Sequence, residues 1–137
     1  MKPIAENASQ LTSTGAVIGT PMYMSPEQAR GEGLDLRSDL YSAAAVIFEA
    51  VTGAPPFLDR TMASVYARLL NDPPPLASQV SRRAVPRALD EVLLRALAKD
   101  RAARFPTARA LGEALAAVRD EAPMVDSPAT ERMNARD

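Results

Sequence analysis

Hydrophobic and polar residues along the chain repeat with the period of an α-helix in three separate stretches. The pattern predicts a helix over about 61–71 capped by Asp59 or Thr61, a second over about 86–100, and a third capped by Thr107. Their apolar stripes are Met62, Val65, Tyr66, Leu69 and Leu70; Leu89, Val92, Leu93, Ala96 and Leu97; and Leu111, Leu115 and Val118. No stretch alternates convincingly as a strand would, so the predicted fold class is all-α.

A fourth predicted helix, Ser38 to Thr52, differs because its interior is apolar almost all the way round. It opens at Ser38 or Asp39 and ends at Gly53. A helix without a polar face has to be covered on every side, so this is the predicted central, buried helix with the amphipathic helices packed around it. Three stripes cover only part of it, and exposing one large aliphatic side chain forgoes about 1.5–3 kcal/mol. The chain is therefore expected to be missing a partner surface that would cover the rest of the central helix.

A short capped helix is predicted just after the first twenty residues. Ser25 can accept from the free N–H groups of the first turn, Pro26 suits the first helical position, and Gln28 can complete a capping box. Gly31 and Gly33 are expected to end this helix after about two turns. The result is a loop, a helix and a second loop held at both ends.

Composition narrows the chemistry open to the chain. Its 137 residues correspond to one domain at most, and 16 Lys and Arg against 17 Asp and Glu give no electrostatic case for a nucleic-acid or acidic-membrane partner. It has no Cys and no His, which excludes disulfides, thiol nucleophiles, histidine bases and the usual zinc sites. No metal site and no membrane segment are predicted, and a cytoplasmic location is expected.

The two ends of the chain show no regular period. Residues 1–18 are rich in Ser, Thr, Asn and Gln and are predicted to be flexible. Residues 119–137 combine charges, prolines and small residues and are predicted to form a disordered tail. The body of the chain is thus expected within 19–118.

Three blocks of sequence carry a family resemblance. They run Gly19-Thr20-x-x-Tyr23-Met24-Ser25-Pro26-Glu27-Gln28; Asp35-x-Arg37-Ser38-Asp39-Leu40-Tyr41-Ser42 with Thr52-Gly53-x-x-Pro56-Phe57; and Ala96-Leu97-Ala98-Lys99-Asp100 with Arg104-Phe105-x-Thr107. Together they resemble bacterial serine/threonine protein kinases of the eukaryotic (Hanks) type, from the end of the activation segment onward. The order and spacing of the blocks match over about 11–118.

The resemblance implies a partial kinase C-lobe without an N-lobe: part of an activation loop over 1–18 and a truncated C-lobe over 19–118. Intact members transfer a phosphoryl group from ATP, with Mg²⁺, to Ser or Thr of protein substrates. They do so with a Gly-rich loop, a strand Lys, an H-R-D loop and a D-F-G motif, none of which occurs in this sequence. No catalytic residue and no bound ATP or Mg²⁺ is therefore expected in this chain. One departure is Ala44, where the family usually has Gly.

Roles follow position by position as implications of the resemblance. The first block, Gly19, Thr20, Pro21, Met22 and Tyr23, would form the pocket for a substrate residue, with Thr20 also reaching the catalytic loop. Thr12 and Thr14 stand where members are autophosphorylated, or simply belong to a polar arm. Ser25 and Pro26 would hold the segment structurally, Glu27 and Arg104 would form a buried ion pair, and Asp39 would accept hydrogen bonds from the catalytic-loop backbone.

Alternative functions remain open from the sequence. The chain could be part of a kinase whose remaining portion comes from elsewhere, so that its partners are that portion and a protein substrate. It could instead be a non-catalytic interaction module that binds another protein through the exposed side of the central helix and the helix over 61–71. A fragment without a role is the third interpretation.

Overall fold

The computed structural model describes residues 21–121, and within that range it contains helices and no strand. The α-helices are α1 (Pro26–Ala29), α2 (Leu36–Thr52), α3 (Met62–Asn71), α4 (Ala77–Val80), α5 (Arg87–Ala96) and α6 (Ala108–Glu121), with 3₁₀ turns at Pro21–Tyr23 and Arg101–Ala103. This confirms the predicted all-α class. None of the helices in the described range is long and apolar enough to cross a membrane.

Helix α2 is the centre of the core. Its residues Tyr41, Ala44, Ala45 and Phe48 are almost completely shielded from solvent. The first 3₁₀ turn, α4 and α5 contact α2, and α6 packs against α5. Ala44 is fully buried, so the side chain present where the family usually has Gly is accommodated within the core.

The start of α2 differs from the prediction. Asp35, rather than Ser38 or Asp39, is the N-cap: its carboxylate accepts from the Arg37 N–H at 2.7 Å, and the Asp35 N–H donates to the Ser38 hydroxyl at 3.4 Å. This reciprocal capping box satisfies donors of the first turn, and it moves the helix start back to Leu36. The end is as predicted, since Gly53 closes the helix with φ of 92°.

One face of α2 is uncovered by the described residues. Leu36 is 50% and Val46 54% exposed, and Asp39, Ala43 and Ala50 are exposed on the same side at helical spacing. We call these five residues the open face. The sequence predicted that part of the central helix would be uncovered, and the open face is where that uncovered part lies.

The remaining helix ends agree with the sequence patterns in part. Thr61, not Asp59, caps α3, and Thr107 accepts from the Ala110 N–H at 3.0 Å at the start of α6. Helix α1 has one turn rather than two, α5 ends at Ala96 rather than near 99–100, and α4 was not predicted. Helix α6 continues to Glu121, past the boundary predicted at 118.

Candidate functional site

The candidate site is the segment Pro21–Ala29 together with the surfaces to which it is fastened. Ser25 accepts from the Gln28 N–H at 3.1 Å and the Gln28 side chain accepts from the Ser25 N–H at 3.3 Å, which is the capping box predicted from the sequence. Ser25 and Pro26 are buried. The start of α1 is therefore held by contacts within four consecutive residues.

Glu27 and Arg104 join this segment to the chain beyond α5. The Arg104 guanidinium donates to both Glu27 oxygens, at 2.7 and 2.9 Å, and the Ser38 hydroxyl donates to the same carboxylate at 2.6 Å. The two side chains are 0% and 3% exposed. Burial opposes ionisation, but the hydrogen bonds from Arg104 and Ser38 prevail and lower the pKa of Glu27 to about 2.

Arg104 also ties two stretches of backbone together, at Arg37 and at Ala98–Lys99. Its guanidinium donates to the carbonyl oxygens of Ala98 at 2.7 Å, Arg37 at 3.1 Å and Lys99 at 3.2 Å. The group lies 4.9 Å from the centroid of the Tyr41 ring, on α2. Every side of this buried cation therefore has a partner, as a desolvated charge requires.

A second fastening point joins Tyr23 to Glu49 on α2. The Tyr23 hydroxyl donates to the Glu49 carboxylate, and this hydrogen bond, with burial and the nearby negative charge, raises the pKa of Tyr23. Sequence reasoning missed Glu49. The available signal was that it is the one charged residue in the otherwise apolar stretch 43–51.

The remaining predicted site residues fall into two groups. Pro21 is buried, Met22 is half-buried, and Asp39 is exposed on the open face of α2. Gly19 and Thr20 of the predicted pocket, and the predicted phosphorylation sites Thr12 and Thr14, lie outside the described residues. The structure thus anchors the segment Pro21–Ala29 to the rest of the fold through Tyr23, Glu27 and Arg104. Asp39 lies on a separate surface.

An exposed charge cluster lies at the start of α2. The Asp35 carboxylate accepts from Arg37 at 2.8 Å and from Arg101 at 3.1 Å, and Arg101 also donates to the Gly33 carbonyl at 2.6 Å. The hydrogen bond from Arg37, aided by Arg101, holds the pKa of Asp35 well below its usual range. This cluster connects the loop before α2 to the turn after α5 and was not predicted.

Lys99 is the one buried cation in the described range without an acidic contact. Its Nζ is shielded from solvent, has no hydrogen-bond partner among these residues, and lies 4.0 Å from the centroid of the Phe57 ring. Burial lowers the pKa of Lys99 to about 8, helped by the positive charges of Arg104 and Arg30 and opposed by Asp72. The folded state therefore holds this proton less tightly than the unfolded chain.

We expect the free energy of unfolding to rise as the pH is raised from about 8 to about 9.5. In that range the unfolded chain, with Lys99 at its ordinary pKa of 10.5, keeps a proton that the folded chain has begun to lose. The gain should be about 1 kcal/mol, reduced from the full pKa difference because the side chain is only partly buried. Urea unfolding at several pH values measures it. Lys99→Met should flatten the slope, whereas Lys2→Met, at the chain's other lysine, should leave it; an unchanged slope in Lys99→Met would contradict the assignment.

Acidic side chains do not gather into a metal-binding cluster within the described residues. Between 21 and 121 no group of three or more Asp, Glu, His or Cys side chains lies close enough to hold a metal ion. Protein kinases as a family use ATP and Mg²⁺.

The segment Pro21–Ala29, the central helix α2 and the buried Glu27–Arg104 pair define a helical kinase C-lobe fragment. The comparisons with known proteins agree with this class. The family model for the protein kinase domain matches residues 4–114. The chain therefore belongs to the protein kinase family, and its resemblance to the bacterial serine/threonine kinases is confirmed.

Named relatives are similar along most of this chain. It is 48% identical over 99 residues to the serine/threonine-protein kinase PksC of Streptomyces coelicolor, covering 72% of this chain and 17% of that protein. It is 46% identical over 109 residues to the serine/threonine-protein kinase PknB of Mycobacterium tuberculosis (strain H37Rv), covering 78% and 17%, and 44% identical over 108 residues to PknB of Mycolicibacterium smegmatis. The chain thus spans less than a fifth of the length of these relatives.

Proposed function

We propose that this chain supplies the substrate-side part of a serine/threonine kinase C-lobe, and that phosphoryl transfer from ATP to Ser or Thr of a protein substrate requires a separate portion carrying the catalytic groups. In this proposal the first block, Gly19 to Tyr23, forms the pocket for a substrate residue, Thr20 contacts the catalytic loop, and Thr12 or Thr14 accepts regulatory phosphate. The chain itself binds neither ATP nor Mg²⁺. A cytoplasmic location, where ATP is available, belongs to the same proposal.

The open face of α2 is the observation that carries this proposal. It presents two half-exposed aliphatic side chains, Leu36 and Val46, with the carboxylate of Asp39 between them. No described residue donates a hydrogen bond to Asp39, although its position near the helix start suits an anion. An apolar strip with one central acceptor fits a partner that has apolar side chains and free backbone N–H groups, which is the role the family resemblance implies for the catalytic loop.

Phosphoryl transfer should be absent from the purified chain and should return with a complementing portion. The 137-residue chain alone should show no saturable binding of Mg·ATP and no transfer of labelled phosphate to a protein substrate. Mixing or co-expressing it with the preceding part of the kinase domain of the PknB relative should restore transfer. Asp39→Asn should lower the restored rate by about 10- to 100-fold, the equivalent of losing hydrogen bonds to a charged acceptor.

Controls make this test decisive. Asp59→Asn removes an exposed acid that lies off the open face and should leave the restored rate unchanged. Transfer by the chain alone would contradict the proposal, as would a failure of Asp39→Asn to affect the restored rate. The DNA upstream of the Met1 codon offers an independent check, since an in-frame or once-shifted H-R-D and D-F-G there would identify the complementing portion.

A second candidate function, a non-catalytic interaction module, is favoured by a different surface. Leu58 is 48% and Met62 40% exposed near the start of α3, so this end of the helix could contact another protein. If Leu58→Glu with Met62→Glu abolishes capture of a specific protein partner while the complementation assay gives no transfer, the interaction module is the better description.

A further inference from the structure

A concave basic surface lies at the C-terminal end of α2 and is lined by no residue of Pro21–Ala29. Where the helix ends, it meets the turn that follows α4 and encloses a cavity of about 350 Å³. Ala50, Val51 and Val80 give this cavity an apolar part, and Arg82 and Arg83 give it two positive charges. We call it the Arg82–Arg83 notch.

The two arginines are not neutralised by their described surroundings. No acidic residue lines the notch, and neither guanidinium forms an ion pair within residues 21–121. Two other exposed arginines, Arg109 and Arg119, likewise form no ion pair within residues 21–121, so Arg82 and Arg83 are set apart by lining one cavity together. Both side chains are exposed, so an incoming anion could reach them without rearrangement of the fold.

At the floor of the notch, the Ser81 hydroxyl is already hydrogen-bonded, whereas two backbone carbonyl oxygens are free to accept. Ser81 donates to the Val51 carbonyl at 3.3 Å and accepts from the Arg83 N–H at 3.0 Å. Across residues 21–121, by contrast, nothing donates to the carbonyl oxygens of Ala50 and Thr52. Such orphan carbonyls at a helix end bind water or accept from the N–H groups of a ligand.

We propose that the Arg82–Arg83 notch binds an extended peptide segment of a partner protein that carries an acidic residue next to an apolar one. The acid would pair with the arginines, the apolar side chain would occupy the cavity beside the half-exposed Val80, and the peptide N–H groups would serve the free carbonyls of α2. A single peptide offers all three kinds of group. The inference does not depend on the proposed kinase role, because neither Asp39 nor any residue of Pro21–Ala29 lines the notch.

Simple anions and lipid surfaces fit the same notch less well. Inorganic phosphate has charge but no apolar part and no N–H donors for the carbonyl oxygens. A membrane of anionic lipids is a flat surface, whereas the arginines here border a concave site. A peptide is therefore the class of ligand that the combination of groups favours.

Binding can be measured by fluorescence anisotropy with the full 137-residue chain. The probe is a short labelled peptide that repeats Glu-Leu-Asp, compared with the same peptide carrying Gln and Asn in place of the acids. The acidic peptide should bind more tightly, and Arg82→Ala with Arg83→Ala should weaken its binding by about fivefold or more. Reversing both charges, by Arg82→Glu with Arg83→Glu, should transfer the preference to a Lys-Leu-Lys peptide.

A charge-matched control separates the notch from general attraction. Arg109→Ala with Arg119→Ala removes two exposed arginines from α6 and should leave the affinity of the acidic peptide unchanged. Circular dichroism checks that each variant keeps its helices. Equal losses in the two double variants, no preference for the acidic peptide, or binding to phosphatidylserine vesicles without binding to the peptide would each overturn the proposal.

Discussion

Replacing Glu27 or Arg104 by alanine should lower the free energy of unfolding by about 3–5 kcal/mol in each case, because either change leaves an opposite charge buried without its partner. Arg104→Ala should be the costlier change, since it also deprives the carbonyl oxygens of Ala98 and Lys99 of a donor. Arg104→Lys should recover only part of the loss, because an ammonium group cannot reproduce the paired donors that reach both Glu27 oxygens. Urea unfolding followed by circular dichroism gives these values.

A double-mutant cycle tests whether the two residues act as a pair. The variant with both alanines should lose little more than the worse single variant, so the losses should be strongly non-additive. The partly exposed pair Arg68 and Asp72 at the end of α3, four residues apart, provides the control, with an expected coupling of about 0.3–0.5 kcal/mol. Additive losses at Glu27 and Arg104 would show that the observed hydrogen bonds contribute no coupling to the folded state.

Acid should remove the same stabilisation. The pKa of Glu27 is about 2 in the folded chain and ordinarily 4.5, so its contribution is present above pH 4.5 and is lost as the pH falls toward 2. Glu27→Gln should therefore reduce the dependence of stability on pH in this acid range. Because Gln has nearly the same shape as Glu but no charge, this variant separates the contribution of the Glu27 charge to stability from the contribution of its packing.

Local chemistry was enough to predict several elements from the sequence. Ser25 with Gln28, and separately Thr61, Thr107 and Gly53, act on backbone groups only a few residues away, so their roles follow from residue type and spacing. The start of α2 was missed because Asp35 and Asp39 are both acceptable near a helix start. Only the reciprocal bond between Asp35 and Ser38 decides between them.

Long-range contacts account for most of what the sequence did not reveal. Tyr23 and Glu49 are separated by 26 residues, and Arg101 and Asp35 by 66, and no local period connects such pairs. The Glu27–Arg104 pair spans 77 residues and was expected only through the family resemblance. The buried state of Lys99 depends on where Phe57 comes to lie, which is a consequence of packing rather than of neighbouring residues.

The sequence predicted that part of α2 would be left uncovered, and the open face is that part. It is the reason for the low solubility or loose packing expected of the isolated chain. A central helix that leaves Leu36 and Val46 half-exposed offers other copies an apolar strip. The chain alone should consequently be poorly soluble or loosely packed, so the unfolding and peptide-binding measurements described above are made in a background carrying Leu36→Glu with Val46→Glu, which gives this face charge. A sharp cooperative unfolding transition from a soluble monomer would show that the uncovered area is too small to matter.

Placing acids on the open face should raise the solubility of the isolated chain and at the same time prevent its binding to the complementing kinase portion. Leu36→Glu with Val46→Glu should increase the solubility of the isolated chain and change its stability by less than about 0.5 kcal/mol, because both positions face solvent. The same variant should lose the complementation described above, with the affinity for the complementing kinase portion falling by about a thousandfold or more, since two carboxylates would be buried against apolar groups.

The matched control places acids at other exposed aliphatic positions. Leu58→Glu with Val80→Glu, at residues 48% and 40% exposed, should raise solubility similarly and preserve complementation. If both double variants complement equally well, the open face is not where the missing portion binds. If only the control loses complementation, the binding surface lies near α3 and α4 instead. Loss confined to Leu36→Glu with Val46→Glu would assign the exposed side of the central helix to the half of the kinase that carries the catalytic groups.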